Sequence, residues 1–187
     1  MPLSMRITGG KYCGRKVIIP QGKLEIRPAM DRMRESLFSI LGPLDNLNFL
    51  DLFSGSGCIA LEAASRGADN IDLVEIDYLK KDIITKNISW ALADGININL
   101  FFYDCFFFIE NCNKKYSIIY ADPPFPLKNK TEILLSCIKK DLLKKNGLFI
   151  IHIPTSEDSL WKDSYKNMVL SDRRKYGRNT LLFFSMI

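Results

Sequence analysis

With 187 residues, a net charge of +5 and 47% hydrophobic residues, the chain is long enough for one enzyme-sized domain with its own core. Its apolar runs are short and broken by charges, which excludes a span of roughly 20 apolar residues, and Met1 to Arg6 lacks the apolar stretch of a secretory signal, so a cytoplasmic protein without membrane association is expected. Five cysteines with no Cys-x-x-Cys pair, and His152 as the only histidine, leave little material for a disulfide framework, a metal site or a His-based triad.

The positive charge is concentrated at the start of the chain. Residues 1–35 hold eight Lys or Arg against three acidic residues, while the remaining 152 residues balance at 18 of each sign. Gly9, Gly10 and Gly14 interleave with Lys11, Arg15 and Lys16, giving a backbone able to follow phosphates closely, although solvated basic surface has the same composition. Ile7 to Ile19 reads as a small hairpin. Asp31 to Leu41 reads as an amphipathic helix carrying Met33, Leu37, Phe38, Ile40 and Leu41.

From residue 46 onward, β-like runs alternate with helical patterns, the signature of a parallel sheet covered on both faces. Strands are expected at Asn48–Phe53, Asn70–Ile76, Ile96–Tyr103, Ser117–Ala121 and Gly147–Ile153, with helices at Ser56–Arg66, Tyr78–Leu92, Cys105–Asn111 and Lys130–Lys145. Gly67 and Gly147 read as helix stops. After Pro154, a short helix near Ser156–Trp161 leads to strands Asn167–Ser171 and Thr180–Met186, which close a hairpin around residues 172–179. His152, inside an apolar run, reads as structural or as lying near a site rim.

The first strand ends in Asp51-Leu52-Phe53-Ser54-Gly55-Ser56-Gly57, at the strand-to-helix turn where open α/β sheets bind ligands. Gly55 and Gly57 permit close backbone approach, and with Ala60 and Glu75 they also match a dinucleotide fingerprint. Asp51 separates the readings, because a carboxylate there repels a pyrophosphate but attracts an ammonium such as that of S-adenosylmethionine. On that reading Glu75 accepts from two ribose hydroxyls, with Asp77 in reserve, Asp104 accepts from the adenine amino group, and Ile76 packs on the adenine. Acidic residues at strand ends also suit helix N-termini without any ligand.

Asp122-Pro123-Pro124-Phe125 follows the fourth of these strands. The prolines hold their carbonyls in fixed positions without adjacent N–H donors, so Asp122 and a neighbouring carbonyl form paired acceptors for an exocyclic amine, with Phe125 stacking on the base. Asp-Pro-Pro is also an ordinary turn sequence.

Nearly end to end, the chain resembles the RsmD-type 16S ribosomal RNA guanine-N2 methyltransferases. The likeness is carried by Met5 to Lys11, Gly14-Arg15-Lys16, Arg27-Pro28, Asp31 to Phe38, the glycine turn, Glu62-Ala63, Ser65 to Ala68, Asp122 to Phe125 and Lys175-Tyr176-Gly177. Ala29 stands where the family usually has threonine, and Cys58-Ile59-Ala60 replaces a more glycine-rich stretch. The resemblance implies a Rossmann-like class I methyltransferase fold with a mostly parallel seven-stranded sheet. A small basic RNA-binding extension at 1–45 would precede the methyltransferase domain at 46–187. It further implies transfer from S-adenosylmethionine to N2 of one 16S guanine, of the 966 type, in the 30S subunit or its precursor, by a monomer that needs no metal. Asp122, Pro123, Pro124 and Phe125 would form the catalytic site; Asp51, Phe53, Ser54, Gly55, Gly57, Glu75, Ile76, Asp104 and Asp122 the cofactor site. Lys11, Arg15, Lys16, Arg27, Arg32, Arg34, Arg173, Arg174, Lys175 and Arg178 would contact RNA phosphates. A DNA adenine-N6 or cytosine-N4 methyltransferase and a non-catalytic nucleotide-binding RNA chaperone are the alternatives.

Overall fold

Successive side chains of a strand point to opposite faces, so a strand that is apolar at every position serves a sheet buried on both sides. Phe49, Ile118, Ile150, Leu181 and Phe183 lie in one buried cluster, and the next residues, Leu50, Ile119, Ile151, Leu182 and Phe184, lie in another on the opposite face. The computed structural model describes residues 4–20 and 28–187. A hairpin of β1 (Ser4–Arg6) and β2 (Lys16–Ile18) precedes α1 (Pro28–Leu41). The elements that follow are β3 (Asn48–Asp51), α2 (Cys58–Ser65), β4 (Asn70–Val74), α3 (Lys81–Ala93), β5 (Asn97–Phe101), α4 (Cys105–Asn111) and β6 (Tyr116–Ala121). The chain continues through α5 (Thr131–Lys139), β7 (Leu143–Pro154), β8 (Ser164–Tyr165), β9 (Met168–Tyr176) and β10 (Asn179–Met186).

The main sheet has eight strands in the order β5-β4-β3-β6-β7-β10-β9-β8, one more than expected because the two-residue β8 pairs with β9 at an edge. The pairings from β5 to β7 are parallel, and those joining β7, β10, β9 and β8 are antiparallel. Helices α1, α2 and α3 cover one face through Met33, Leu37, Leu61, Ile84 and Ile88, while α4 and α5 cover the other through Phe108, Ile109, Ile133 and Leu134. Because the chain moves from β3 outward to β5 and then returns to place β6 on the other side of β3, the carboxyl ends of β3 and β6 flank a topological switch point.

Three parallel strands, β3, β4 and β5, end two residues before the expected boundary, where the backbone leaves the sheet toward that switch point. The expected helix Lys130–Lys145 ends at Lys139, and Asp141 adopts φ 53°. Leu142 and Leu143, which fit the helical spacing, instead lie buried at the start of β7, where Leu143 pairs with Tyr116. Gly147 does not stop a helix; it sits inside β7, where a Cβ would lie 2.7 Å from the Lys144 carbonyl oxygen.

The N-terminal segment is fastened to the body. Ile7, Tyr12 and Val17 share the buried cluster of α2 and α3, and Gly10 packs so closely on α2 that a Cβ would lie 1.9 Å from the Ser65 carbonyl oxygen. Glu62 of α2, with no exposed surface, accepts from Thr8 N at 2.8 Å, from Arg34 Nε at 2.9 Å and from the Arg66 guanidinium. Removing either arginine would leave part of that buried charge uncompensated.

Candidate active site

The loops leaving β3, β4, β5 and β6, with the end of β7 and the start of β10, surround a cavity of about 900 Å³, which holds Phe53, Gly55, Glu75, Ile76, Asp104 and all of Asp122 to Phe125 in its wall. Residues read separately from the sequence as cofactor and base contacts thus share one enclosure. Ser54 and Gly57 stand behind it. The Ser54 hydroxyl donates to the Asp51 and Val74 carbonyls at 3.2 and 3.0 Å, tying β3 to β4. Gly57 takes φ 78° at the start of α2, where a Cβ would press on Leu73 at 3.3 Å. Gly55, with φ 56° and open space beside its Cα, faces the cavity.

Asp51 is 1% exposed and lies beneath the glycine turn. Its Oδ1 accepts from Phe53 N at 3.3 Å, while Oδ2 has no partner among the described residues. Burial pushes its pKa up to about 8, and the nearby Asp122 and Glu75 carboxylates add to the shift. Glu75 Oε2 accepts from Gly55 N at 2.9 Å, and Oε1 accepts from Asp77 N at 2.9 Å and pairs with Lys80 at 3.1 Å. Asp104 caps α4 with Oδ1, accepting from Phe106 N at 2.9 Å. Asp77 caps the turn at Tyr78–Lys80 through Leu79 N. The carboxylates of Glu75, Asp104 and Asp122 in one wall, with Asp51 buried behind them, suit a ligand rich in positive charge and N–H or O–H donors, and oppose a pyrophosphate. The orphaned Asp51 oxygen and the open face at Gly55 therefore fit S-adenosylmethionine and disfavour the dinucleotide reading.

Across the cavity, Pro123 and Pro124 divide their roles. The Pro124 carbonyl accepts from Leu127 N at 2.9 Å, leaving the Pro123 carbonyl beside Asp122 as the second acceptor. The loop that follows is pinned by Lys130, which is 4% exposed. Its ammonium donates to the Phe125 and Leu127 carbonyls at 2.9 and 2.8 Å and to both Glu157 oxygens at 2.9 Å. Phe125 remains 46% exposed as an open aromatic face. His152 and Asn179 complete this wall. His152 Nδ1 lies 2.7 Å from Asp122 Oδ1, and Nε2 lies 3.0 Å from Asn179 Oδ1.

The basic residues divide sharply. Arg34, expected at the RNA surface, turns inward: it is 5% exposed and bound to Glu62 and to the Arg6 carbonyl. The sequence carried the signal, since Arg34 precedes Leu37, Phe38 and Leu41 by three, four and seven residues, on the apolar face of α1. Lys11 is exposed, but it lies beside Asp45, Asp69 and Ile96 at the amino ends of the strands, opposite the cavity. Arg15 lies over the Trp90 ring at 4.4 Å. Arg173 and Lys175 pair with Asp158 at 3.1 and 2.9 Å, and Arg174 with Asp172 at 2.8 Å. These three are strand residues of β9, so the turn shrinks to Gly177-Arg178. Since β9 runs in the direction of the parallel strands, that turn emerges at the cavity rim with Arg178 exposed. Lys16 and Arg32 are exposed as well, and Arg27 falls outside the described residues.

Comparison with known proteins agrees with this geometry. The family model described as "Conserved hypothetical protein 95" matches residues 5–185. Ribosomal RNA small subunit methyltransferase D of Escherichia coli K12 is 35% identical over 122 residues, covering 65% of this chain and 60% of that protein. The protein of the same description from Buchnera aphidicola subsp. Baizongia pistaciae is 32% identical over 155 residues, covering 79% and 75%. The solved structure described as "Putative methyltransferase yhhF from Escherichia coli" superposes with a TM-score of 0.84 at 26% identity over 98% of both chains. The architecture is that of the Rossmann-like methyltransferases, and the chain belongs to the Conserved hypothetical protein 95 family, the family of the RsmD methyltransferases.

Proposed function

We propose that this chain methylates the N2 amino group of a guanine in small-subunit ribosomal RNA, with S-adenosylmethionine as donor. The observation that carries the reading is that one cavity joins Gly55, Glu75 and Asp104 to Asp122, the Pro123 carbonyl and Phe125. Asp51 would face the donor's ammonium, Glu75 its ribose and Asp104 its adenine amino group, with Phe53 and Ile76 packing on the apolar parts. Bound there, S-adenosylmethionine supplies an electrophilic methyl on a sulfonium centre.

The chain's own contribution is placement and charge. A guanine amino group is a poor nucleophile because its lone pair is delocalised into the ring. Accepting one N–H at Asp122 Oδ2 and the other at the Pro123 carbonyl favours the pyramidal nitrogen that attack requires. Positive charge developing on that nitrogen is stabilised by the Asp122 carboxylate, and the departing proton goes to that carboxylate or to water. Phe125 stacks on a base that has been unstacked from the RNA. The choice of guanine, and of the 966-type position, rests on the family relationship, because adenine and cytosine present amino groups of the same kind.

On this reading residues 1–45 are an RNA-facing extension of the catalytic unit at 46–187, and the protein acts as a cytoplasmic monomer. Lys16, Arg32 and Arg178 are the phosphate contacts best placed by exposure. The test is incubation with labelled S-adenosylmethionine and small-subunit particles, followed by mass mapping of the RNA. A single N2-methylguanine is expected. Label appearing only on adenine or cytosine of DNA, or no cofactor binding by calorimetry, would overturn the assignment.

A further inference from the structure

We propose that His152 is the positioning residue of the base half of this site: gripped by Asn179, its ring holds one Asp122 oxygen and the edge of Phe125, leaving Asp122 Oδ2 for the incoming amino group. The inference rests on the methyl-transfer reading above. His152 is 2% exposed, too buried to serve as a surface contact, yet both ring nitrogens meet polar partners, Asp122 Oδ1 at 2.7 Å and Asn179 Oδ1 at 3.0 Å. Its ring also meets Phe125 edge-on, with centroids 5.5 Å apart. One side chain thus touches both the carboxylate that engages the amino group and the aromatic plate that takes the base. Nothing among the described residues donates to Asp122 Oδ2.

The grip comes from the neighbouring strand. Asn179 is the first residue of β10, directly after the Gly177-Arg178 turn. That turn is held in register by Thr155, whose N–H donates to the Arg178 carbonyl at 2.9 Å and whose hydroxyl donates to the Gly177 carbonyl at 3.1 Å. The exposed Arg178 and the reacting carboxylate are therefore joined through Asn179 and His152. With oxygens facing both ring nitrogens, the arrangement holds the imidazolium, which carries an N–H on each. Burial opposes that charge, but the Asp122 carboxylate and the Asn179 hydrogen bond together outweigh it and the pKa is raised above the ordinary 6.5. Asp122 is the one charge acting on the ring, since Asn179 is neutral and Phe125 apolar. As an imidazolium the ring takes no proton from the substrate; it holds the Asp122 carboxylate in one orientation.

Because His152 is the only histidine, an untagged sample gives a single set of imidazole NMR signals that needs no assignment. Wild type should titrate above the ordinary 6.5, and Asp122→Asn should lower the value, as burial is then opposed by the Asn179 hydrogen bond without the carboxylate's charge. In methyl transfer to small-subunit particles, His152→Ala should lower kcat about tenfold, the effect of losing one charge-assisted hydrogen bond, while S-adenosylmethionine affinity changes less than about twofold. His152→Gln, which retains a donor toward Asp122, should recover part of kcat and lose the decline that wild type shows as pH rises through the imidazole pKa. It also serves if the alanine variant fails to fold. An imidazole titration unmoved by Asp122→Asn, or wild-type kcat in both His152 variants, would overturn the proposal. Wild-type protein that methylates no RNA would sink the methyl-transfer reading instead, and the NMR titration would still report whether His152 grips Asp122.

Discussion

Replacing Asp51 by asparagine removes an acid that the free protein must keep protonated in order to bury. The carboxyl is 1% exposed, and burial raises its pKa from the ordinary 3.8 to about 8. For a group whose folded pKa is raised, stability is fully present below the unfolded value and is lost as pH climbs through the folded one. At about 1.4 kcal/mol per pH unit above the unfolded value, protonating this acid on folding costs on the order of 4 kcal/mol at pH 7. Asp51→Asn keeps the shape without the charge, so urea unfolding across roughly pH 4.5 to 8.5 should show the variant gaining on wild type. The gap should widen by up to about 1.4 kcal/mol per pH unit and level off above about pH 8. Affinity for S-adenosylmethionine should move the other way, weakening by about tenfold or more as the ammonium loses its counter-charge. A stability gap that stays flat with pH, or unchanged cofactor affinity, would refute the reasoning.

Asp122→Ala should abolish methyl transfer to small-subunit particles while cofactor affinity by calorimetry stays near wild type. Lys130→Met strips the donor from the Phe125 and Leu127 carbonyls and leaves Glu157 unpaired, so chemical unfolding should register a loss of about 3 to 5 kcal/mol. Neutralising Lys16, Arg32 and Arg178 together should lower the slope of log affinity against log salt for RNA by up to about three. Arg34→Gln should instead destabilise the fold, leaving the salt slope of the surviving folded protein unchanged.

Much of this site was legible because its chemistry is local in sequence. Gly55 and Asp122 to Phe125 announce themselves through glycine and proline constraints at strand ends, and alternation of strand and helix placed those ends together. What escaped depends on direction and pairing. His152 sits in a run apolar enough to read as core, and only the β7–β10 register brings Asn179 beside it. Lys80 and Lys130 were hidden because a lysine's burial is set by the loop that folds over it. Leu142 and Leu143 satisfy helical and strand spacing equally, so only the left-handed Asp141 decides between them. A count of positive charges, finally, does not say which way a side chain points: Arg34 and Lys11 contribute equally to the basic N-terminal surplus, yet one is inside and the other faces the wrong end of the sheet.

The position of β10 bears on how the molecule assembles. It is the last strand along the chain but an interior one in space, inserted between β7 and β9. Until residues 179–186 arrive, β7 presents a bare edge, and β9 with β8 has no strand linking it to the rest. The parallel strands β3 to β7, with the glycine turn and the Asp-Pro-Pro-Phe loop, can form earlier, because all their pairings lie among residues already made. Chain synthesis from the N-terminus would thus complete the cofactor wall first and the wall bearing Asn179 last. An exposed β7 edge in that interval invites pairing with other chains, so shortening β10 should reveal itself first as aggregation during folding.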